Sequence, residues 1–551
     1  MHRRSLKRQL LLHFFLQPCM QGAAAMFYYP NAQVSQLEHI LVDNWDAYAS
    51  NFSSAITPCT RYVTEIGAAA DNSGRTTSAQ WLRVLFHDFV TADVEAGTGG
   101  IDASIGFETS REENKGSAFN DSFTFWRPFV NEFVPMADLV ALGTVLSVSL
   151  CGGRNIPFRP GRVDALGADP ITGVPEPGTS LEETLGQFER SGFDQVDAIG
   201  LTACGHTLGS VGDEKKNQKL RDRRSAHHSG FPEVSDNSTV SANNTNGGIN
   251  FDSTRGMFDS LVVREYVDGT GNRGGPLVTS FNETSRSDLR LYESDGNATM
   301  RALYAQGDGF LDTCVGLLGR VINTVPAHVE LRDAIHPMSI KPVNVTWDIA
   351  GSGRLELSGR IRILEKAKQE RTVRLVFSNG YTAALATEDA TGTSVFGETR
   401  FAHFAIDHSK IAGSSSFSVV VAGGLSGTNN NDNNNNNHNS KFEIQDNYVI
   451  APSLSSVEGT SVKVTIAVRK GADDSGLSAR ITVPTVQPLT LGPTMRSAEI
   501  TLEKGAGGPG GFTLWQGNAS IEQPTGAVSV RLVRGERTLD TLLLDGGIAG
   551  W

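Results

Sequence analysis

The sequence predicts a multidomain chain with two structural classes in series. A mainly α-helical unit comes first, and an all-β region, most simply a sandwich, follows it. Three observations lead there. The chain has 551 residues, against roughly 100–200 for a typical domain. Up to about residue 325, apolar residues recur at helical spacing, as at Leu37, Ile40, Leu41 and Trp45. Beyond Pro326 the texture changes to short β-branched segments bounded by Gly, Asn or Ser. The expected division is residues 1–25 as a leader, 26–335 as the helical domain and 336–551 as the β-rich region, with two modules around the Asn tract as one arrangement.

The leader is expected from Met1-His-Arg-Arg-Ser-Leu-Lys-Arg8, the apolar run Leu10 to Leu16 and Gly22-Ala-Ala-Ala25. A basic start, a short apolar core and small residues before a cut describe a secretory signal peptide. One or two helices are expected over Val34–Ala70, and others over Thr77–Phe89, Phe125–Val134, Ala137–Ser149, Leu181–Arg190 and Val196–Leu208. Residues 211–250, charged and then rich in Ser, Asn and Gly, suit a long surface excursion. Helical stretches at Asp288–Glu293 and Thr299–Val325 complete the unit. Strands are expected at Arg354–Leu364, Thr372–Phe377, Phe417–Val421, Val462–Val468 and Val528–Leu532. The nearly pure Asn tract Thr428–Ser440 is too polar to bury, so it reads as a loop or as a linker between two β modules.

The composition excludes several classes. A net charge of -12 argues against nucleic-acid binding, which needs a basic footprint. No segment after the leader is long and apolar enough to span a bilayer. Cys19 would leave with the leader. Cys59, Cys151, Cys204 and Cys314 remain, all in the helical unit, and four cysteines allow three connectivities. Asn-x-Ser/Thr triplets at Asn51, Asn120, Asn237, Asn243, Asn282, Asn297, Asn344 and Asn518 are candidate glycan sites in a secreted chain.

The chemistry concentrates in two segments. In Trp81-Leu-Arg-Val-Leu-Phe-His-Asp-Phe89 a helix puts Arg83 and His87 on one face, four residues apart. Asp88 and then Gly100-Ile-Asp-Ala-Ser104 add carboxylates, a carbonyl and a hydroxyl, an all-oxygen set that suits a hard cation such as Ca2+. The second segment is Leu201-Thr-Ala-Cys-Gly-His-Thr-Leu-Gly209, followed by Asn250-Phe-Asp-Ser-Thr-Arg-Gly-Met-Phe-Asp259, another string of oxygen ligands. Two histidines on two helices, each with a cation loop behind it, meet the needs of a haem site. One imidazole would ligate iron, and the other would handle protons on the open face.

Over about residues 35–330 the chain resembles the haem peroxidases of the plant–fungal–bacterial superfamily, most of all the secreted fungal class II enzymes. Arg83 to Asp88 resembles the distal motif and Gly99-Gly-Ile-Asp-Ala-Ser104 the distal calcium loop. Gly205-His-Thr207 resembles the proximal motif, and Arg159-Pro-Gly-Arg-Val-Asp164 a structural turn of the family. The resemblance implies haem b, two Ca2+ ions and hydrogen peroxide as substrate. It also implies small phenolic or aromatic donors oxidised one electron at a time through a ferryl/radical intermediate. His87 would shuttle the peroxide proton and Arg83 would stabilise the charge of O–O cleavage. Asn114, partnered by Glu108, would set the His87 tautomer. His206 would ligate iron with Asp288 on its other nitrogen and Phe251 beside it, whereas Trp81 would be core packing. The distal ion would use Asp88, Gly100, Asp102 and Ser104. The proximal ion would use Thr207, Asp252, Thr254, Met257 and Asp259.

The chain departs from the family in several places. Thr76 and Gln80 stand where Mn2+-oxidising members carry glutamates, and Gly212, beside Asp213, stands at the third acidic position. Leu201 occupies the place of the surface tryptophan of lignin-type members. A dedicated Mn2+ site and the usual surface relay are therefore not expected. Cys151 matches a family cysteine whose usual partner position is Gly74, leaving Cys59 as the substitute. Cys204 would then pair with Cys314 or remain a reduced core thiol. The β region has no metal-like histidine cluster, His403 and His408 being incidental. Trp347, Trp515 and Trp551 suit either core or a flat polysaccharide- or wall-binding face. The competing reading is an extracellular haem-containing adhesion or wall-binding protein with incidental peroxidase activity.

Overall fold

The structure is a computed structural model. It describes residues 28–546 except 66–67, 70–75, 115–117, 212–248, 255, 350–352, 367–370, 423–440, 506 and 509. The leader, Cys19, Gly74, Gly212, Asp213, Asn237, Asn243, the Asn tract, Trp551 and most of the 211–250 excursion lie outside the described residues.

The first part is helical, as expected. Helix α1 spans Ala32–Val42 and starts where Asn31 accepts the N–H of Val34. Helix α2, Thr77–Phe89, is capped by Thr76 accepting from Ala79 N. Helix α3 covers Ala118–Trp126 and α4 Met136–Leu150. Helix α4 is apolar almost all round and buried from Met136 to Val148, the pattern of a central core helix. Its first turn is held by Asp164, whose carboxylate accepts the N–H groups of Met136 (3.0 Å) and Ala137 (2.8 Å). A Cβ on Gly143 would come within 3.1 Å of the rings of both Trp81 and Trp126, so glycine lets α4 approach α2 and α3 without displacing either ring. Trp81 is thus core packing.

Helix α5 (Leu181–Arg190) and α6 (Gln195–Gly205) start at the side-chain caps Ser180 and Asp194. Later helices run over Leu261–Asp268, Ser287–Tyr292, Ala298–Gln306 and Phe310–Asn323. The last expected stretch is therefore two helices, interrupted at Gly307-Asp-Gly309. Two other expectations are corrected. The helical run to Ala70 ends at Val42, because Trp45–Asp46 leaves to pair with Thr387–Ser394 in the β region. The helix expected over Phe125–Val134 lies earlier, at Ala118–Trp126, since Pro128 permits only a 3-10 turn after it. Cys59 pairs with Cys151 and Cys204 with Cys314, so Cys204 is bridged rather than a reduced thiol. Each bridge closes a loop of about a hundred residues, worth on the order of 4 kcal/mol in chain entropy.

The second part is all β, in two layered modules. The first packs a five-stranded sheet against a four-stranded one. The larger sheet has the order Trp45–Asp46, Thr387–Ser394, Gly397–Asp407, Leu355–Glu365, Ile340–Ile349. The smaller has the order Lys441–Glu443, Ser416–Val421, Val373–Phe377, Thr382–Leu385. Inward residues from both, such as Leu357, Ile361, Leu375 and Val419, form one core, with Trp347 buried in it. The strands flanking the Asn tract pair with each other, Phe417 opposite Phe442. The second module joins Tyr448–Ile450, Ser461–Arg469, Phe512–Ser520 and Glu503–Lys504 to a sheet ordered Pro493–Thr501, Leu477–Val486, Val528–Arg534, Arg537–Leu544. Val464, Ile466, Ile481 and Val530 fill its core, and Trp515 packs at its margin.

The two parts are joined by buried charge. Arg362 of the first module is fully buried and binds Glu38 and Asp43 of the α1 region, while Lys341 reaches Glu38 at 2.7 Å. Burial opposes ionisation of Glu38, but Arg362 and Lys341 outweigh it and hold the carboxyl below its ordinary value. Two anions and two cations balance, and removing one member of such a set costs roughly 3–5 kcal/mol. The second module adds Arg531, whose guanidinium lies 2.8 Å from Glu132.

Candidate active site

Helix α2 carries Arg83 and His87 into a cavity of about 270 Å3. The opposite wall holds His206, just past the C-terminus of α6, together with Phe251 and Asp288. Leu85, Phe86, Val174, Phe188, Leu208 and Leu291 supply apolar lining.

On the distal side, His87 is buried and its Nδ1 lies 2.7 Å from Asn114 Oδ1. Asn114 Nδ2 donates to Glu108 O at 3.0 Å, which leaves the amide oxygen facing the imidazole. Nδ1 must then carry the hydrogen, and Nε2 keeps its lone pair. Burial, reinforced by the Arg83 charge, pushes the His87 pKa down to about 3. Arg83 donates to Glu113 O at 3.3 Å and lies 5.0 Å from the centre of the Phe119 ring. The Glu108–Asn114 link runs through the Glu108 main-chain carbonyl. The Glu108 carboxylate instead meets Arg111 at 2.6 Å and accepts the N–H of Asp169 at 2.8 Å.

On the proximal side, His206 Nδ1 lies 2.7 Å from Asp288 Oδ2, and its ring stacks on Phe251 with centroids 3.9 Å apart and planes 6° from parallel. Asp288 is buried on the Ser287–Tyr292 helix. Phe251 is delivered by a short ladder in which Ser210–Val211 pairs with Ile249–Asn250. With Nδ1 held, Nε2 of His206 is the nitrogen left for a metal. An apolar cavity with one free imidazole nitrogen on each wall has the chemistry of a haem pocket.

The two loops differ in how they are filled. Both Asp88 oxygens are taken by loop donors: Oδ2 accepts from Asp102 N and Ala103 N, and Oδ1 from Ile105 N and Ser104 Oγ. Asp102 Oδ1 accepts from Ser104 N. Burial and mutual repulsion raise the Asp88 pKa, and burial with Asp169 raises Asp102 to about 6. Gly100 adopts φ +100° against Thr324 O, a conformation and closeness that need glycine. On the other loop, Thr254 Oγ1 lies 3.1 Å from Asp252 Oδ1 and 2.9 Å from Asp259 Oδ2. Among the described residues, the buried Asp252 Oδ2 has no hydrogen-bond partner. Burial, then Asp259 and Glu265, push the Asp252 pKa up to about 7. Thr207 turns its hydroxyl to Cys204 O, and the Met257 side chain is exposed. Among the described residues, no group of three or more His, Cys, Asp or Glu side chains is placed to hold a metal.

Asp169, Arg111, Glu113 and Phe119 were not expected at the site. No motif marks them, and only chain folding brings them there. Of the departures, Thr76, Gln80 and Leu201 all line the cavity. His408, by contrast, pairs with Asp446 at 2.8 Å in the β region, far along the chain from both motifs. No helix among the described residues is long and apolar enough to cross a membrane.

Comparison with known proteins bears on residues 63–307, which match the family model described as Peroxidase. A WSC domain-containing protein of Arthroderma benhamiae is 33% identical over 371 residues, which is 66% of this chain and 46% of that protein. The peroxisomal L-ascorbate peroxidase 5 of Arabidopsis thaliana is 36% identical over 145 residues, 26% of this chain and 51% of the plant protein. Ligninase H2 of Phanerodontia chrysosporium is 27% identical over 289 residues, 47% of this chain and 69% of the ligninase. The chain thus spans about half the length of the first two. It carries a peroxidase-superfamily domain, followed by a separate β-rich region.

Proposed function

We propose, starting from a peroxidase-superfamily domain at residues 63–307, that the chain is a haem peroxidase. It reduces hydrogen peroxide and oxidises small phenolic or aromatic donors by one-electron steps. One observation carries this reading: two histidines share a cavity but have opposite partners, a neutral amide at His87 and a carboxylate at His206. A protein that merely held haem would need only His206 and an apolar wall, which weighs against an adhesion protein with incidental activity.

Haem b, when bound, would supply the iron centre and the two electrons that hydrogen peroxide takes up, which the donors then restore one at a time. His87 Nε2 accepts the proton of the peroxide's inner oxygen and returns it to the outer oxygen, so that this oxygen departs as water. The low His87 pKa keeps that nitrogen free down to acid pH. Arg83 stabilises the negative charge that develops as the O–O bond breaks. His206 would hold the iron through Nε2, and Asp288, accepting the Nδ1 hydrogen, makes the imidazole a stronger electron donor.

Calcium is the second cofactor in this reading. The unpartnered Asp252 oxygen favours the proximal set Thr207, Asp252, Thr254, Met257 and Asp259. The crowded acids Asp88 and Asp102 favour cation binding with Gly100 and Ser104, although a cation there must displace loop donors from Asp88. Neutral Thr76 and Gln80 at the cavity offer no carboxylate to Mn2+, in keeping with a peroxidase without a dedicated Mn2+ site. Secretion follows from the expected leader and agrees with the two disulfides. For the β region two accessory roles stand side by side: contact with polysaccharide or cell wall, and stabilisation or surface positioning of the enzyme.

The test is spectroscopic. Purified protein should show a ferric haem band that changes with one equivalent of peroxide and is restored by a phenol. Absence of haem, or a band unmoved by peroxide, would refute the proposal. A donor panel with Mn2+ and veratryl-type aromatics should favour the simple phenols.

A further inference from the structure

The second β module reaches into the neighbourhood of the distal pocket through one turn. In the turn Leu489–Gly492, between strands Leu477–Val486 and Pro493–Thr501, Leu489 is exposed at the tip, while Thr490 and Leu491 meet the helical unit. Leu491 N–H donates to Gly106 O at 3.0 Å, and Leu491 O accepts from Arg127 Nη2 at 3.2 Å. The side chains of Leu491 and Met495 pack against the helical core. A Cβ on Gly106 would stand 3.0 Å from Thr490 Oγ1 and 3.0 Å from the Phe123 ring. The approach is tight enough that a methyl group at 106 would require Thr490 or the Phe123 ring to give by a few tenths of an ångström.

Gly106 belongs to the 3-10 turn Ser104–Phe107. Two hydrogen-bonded routes lead from this turn to His87. Backward along the chain, Ile105 N and Ser104 Oγ donate to Asp88 Oδ1, and Asp88 directly follows His87 on α2. Forward, Glu108 O accepts from Asn114 Nδ2, and Asn114 Oδ1 holds His87 Nδ1. Whatever fixes the turn therefore fixes both the backbone beside the distal imidazole and the amide that orients it.

We infer that the Leu489–Gly492 turn is a positioning element of the distal pocket, so that the β region completes the peroxidase site instead of being only an appended binding module. The inference rests on the function proposed above for His87. It assigns Leu491 a role through its backbone N–H, which any residue but proline supplies. Only the fold brings it to Gly106, 385 positions earlier in sequence numbering.

Three full-length variants test this. L491P removes the N–H, L491A keeps it and removes only the side chain, and R531M weakens docking of the same module at Glu132, away from the turn. Amide exchange in the haem-free protein should be about fivefold faster or more at Ala103 and Ile105 in L491P, the loss expected of one net hydrogen bond. L491A and R531M should stay near the parent protein. In the haem-loaded protein, cyanide affinity and the KM for peroxide should weaken by about threefold or more in L491P alone, with the donor's KM unchanged. Equal exchange at Ala103 and Ile105 across the three variants, or unaltered cyanide affinity in L491P, would overturn the inference. A protein that takes up no haem would refute the proposed function, while the exchange comparison would still decide the positioning role. Should L491P not fold, G106A replaces it. It should give the same local exchange increase, partly reversed by adding T490A, and no increase would overturn the inference.

Discussion

The distal and proximal histidines are the same residue type held at the same ring nitrogen, and the difference lies in the partner. His87 is buried, beside Arg83, with an amide oxygen 2.7 Å from Nδ1. His206 is partly exposed in the open pocket, with a carboxylate oxygen at the same 2.7 Å. A neutral partner fixes a tautomer and adds no charge, so burial and Arg83 win and the ring stays neutral. A carboxylate partner pushes electron density toward the opposite nitrogen, which suits a metal ligand. The hydrogen bond length is common to both sites; the charge behind it separates the proposed base from the proposed ligand.

Exchanging or removing these partners should break the contrast by graded amounts. The largest effect is expected for His87→Leu, which should slow the peroxide step by about 10²–10⁴-fold while leaving haem binding intact. Stopped-flow mixing with peroxide measures it, and a rate within a factor of a few of the parent would remove His87 from its role. Asp288→Asn should come next, with a roughly 10–100-fold loss in activity or haem retention. Haem titration against the apoprotein separates the two.

Asn114→Asp would give the distal histidine the proximal kind of partner. In the parent protein the His87 pKa of about 3 predicts that the peroxide step keeps its rate as pH falls through 6, with the acid limb near 3. The carboxylate should raise that limb toward neutrality; a limb already near 6.5 in the parent would contradict the neutral-base reading. The same shift enters stability. Between about pH 6.5 and 3 the unfolded histidine binds a proton that the folded one refuses, so stability falls as pH drops through that window.

The smallest expected effect concerns the proximal loop. The folded Asp252 carboxyl holds its proton up to about pH 7, by burial and then by Asp259 and Glu265. Without a cation, stability should therefore decline as pH rises from about 4 to 7. A bound cation cancels that decline. Chelation should lower the thermal midpoint by a few degrees more at pH 7.5 than at pH 5, and equal shifts at both values would argue against a cation at this loop.

Much of the site can be read from neighbouring residues. Arg83 and His87 share a face because a helix repeats every 3.6 residues, and α2 has the expected bounds. Asp288 and Phe251, expected from the family resemblance and not from local pattern, lie against His206. The strand positions Leu355–Glu365 and Val528–Arg534 follow from β-branched runs bounded by turn residues. Elements were misplaced where a distant partner decides: Trp45–Asp46 is a strand only because Thr387–Ser394 lies beside it.

Local patterning by itself determined the two fold classes, their order, the two histidine segments and the confinement of the cysteines to the helical part. Each depends on residue spacing over one or two turns, or on a composition change along the chain. Tertiary structure alone decided the disulfide pairing, the use of the Glu108 carbonyl in place of its carboxylate, the arrival of Asp169 and Phe119 at the distal side, and the buried Glu38–Asp43–Arg362–Lys341 junction. It also brought Leu491 to Gly106. These contacts join residues far apart in the chain through backbone atoms or ordinary side chains. Local spacing encodes which face a residue occupies, and only packing selects what that face meets.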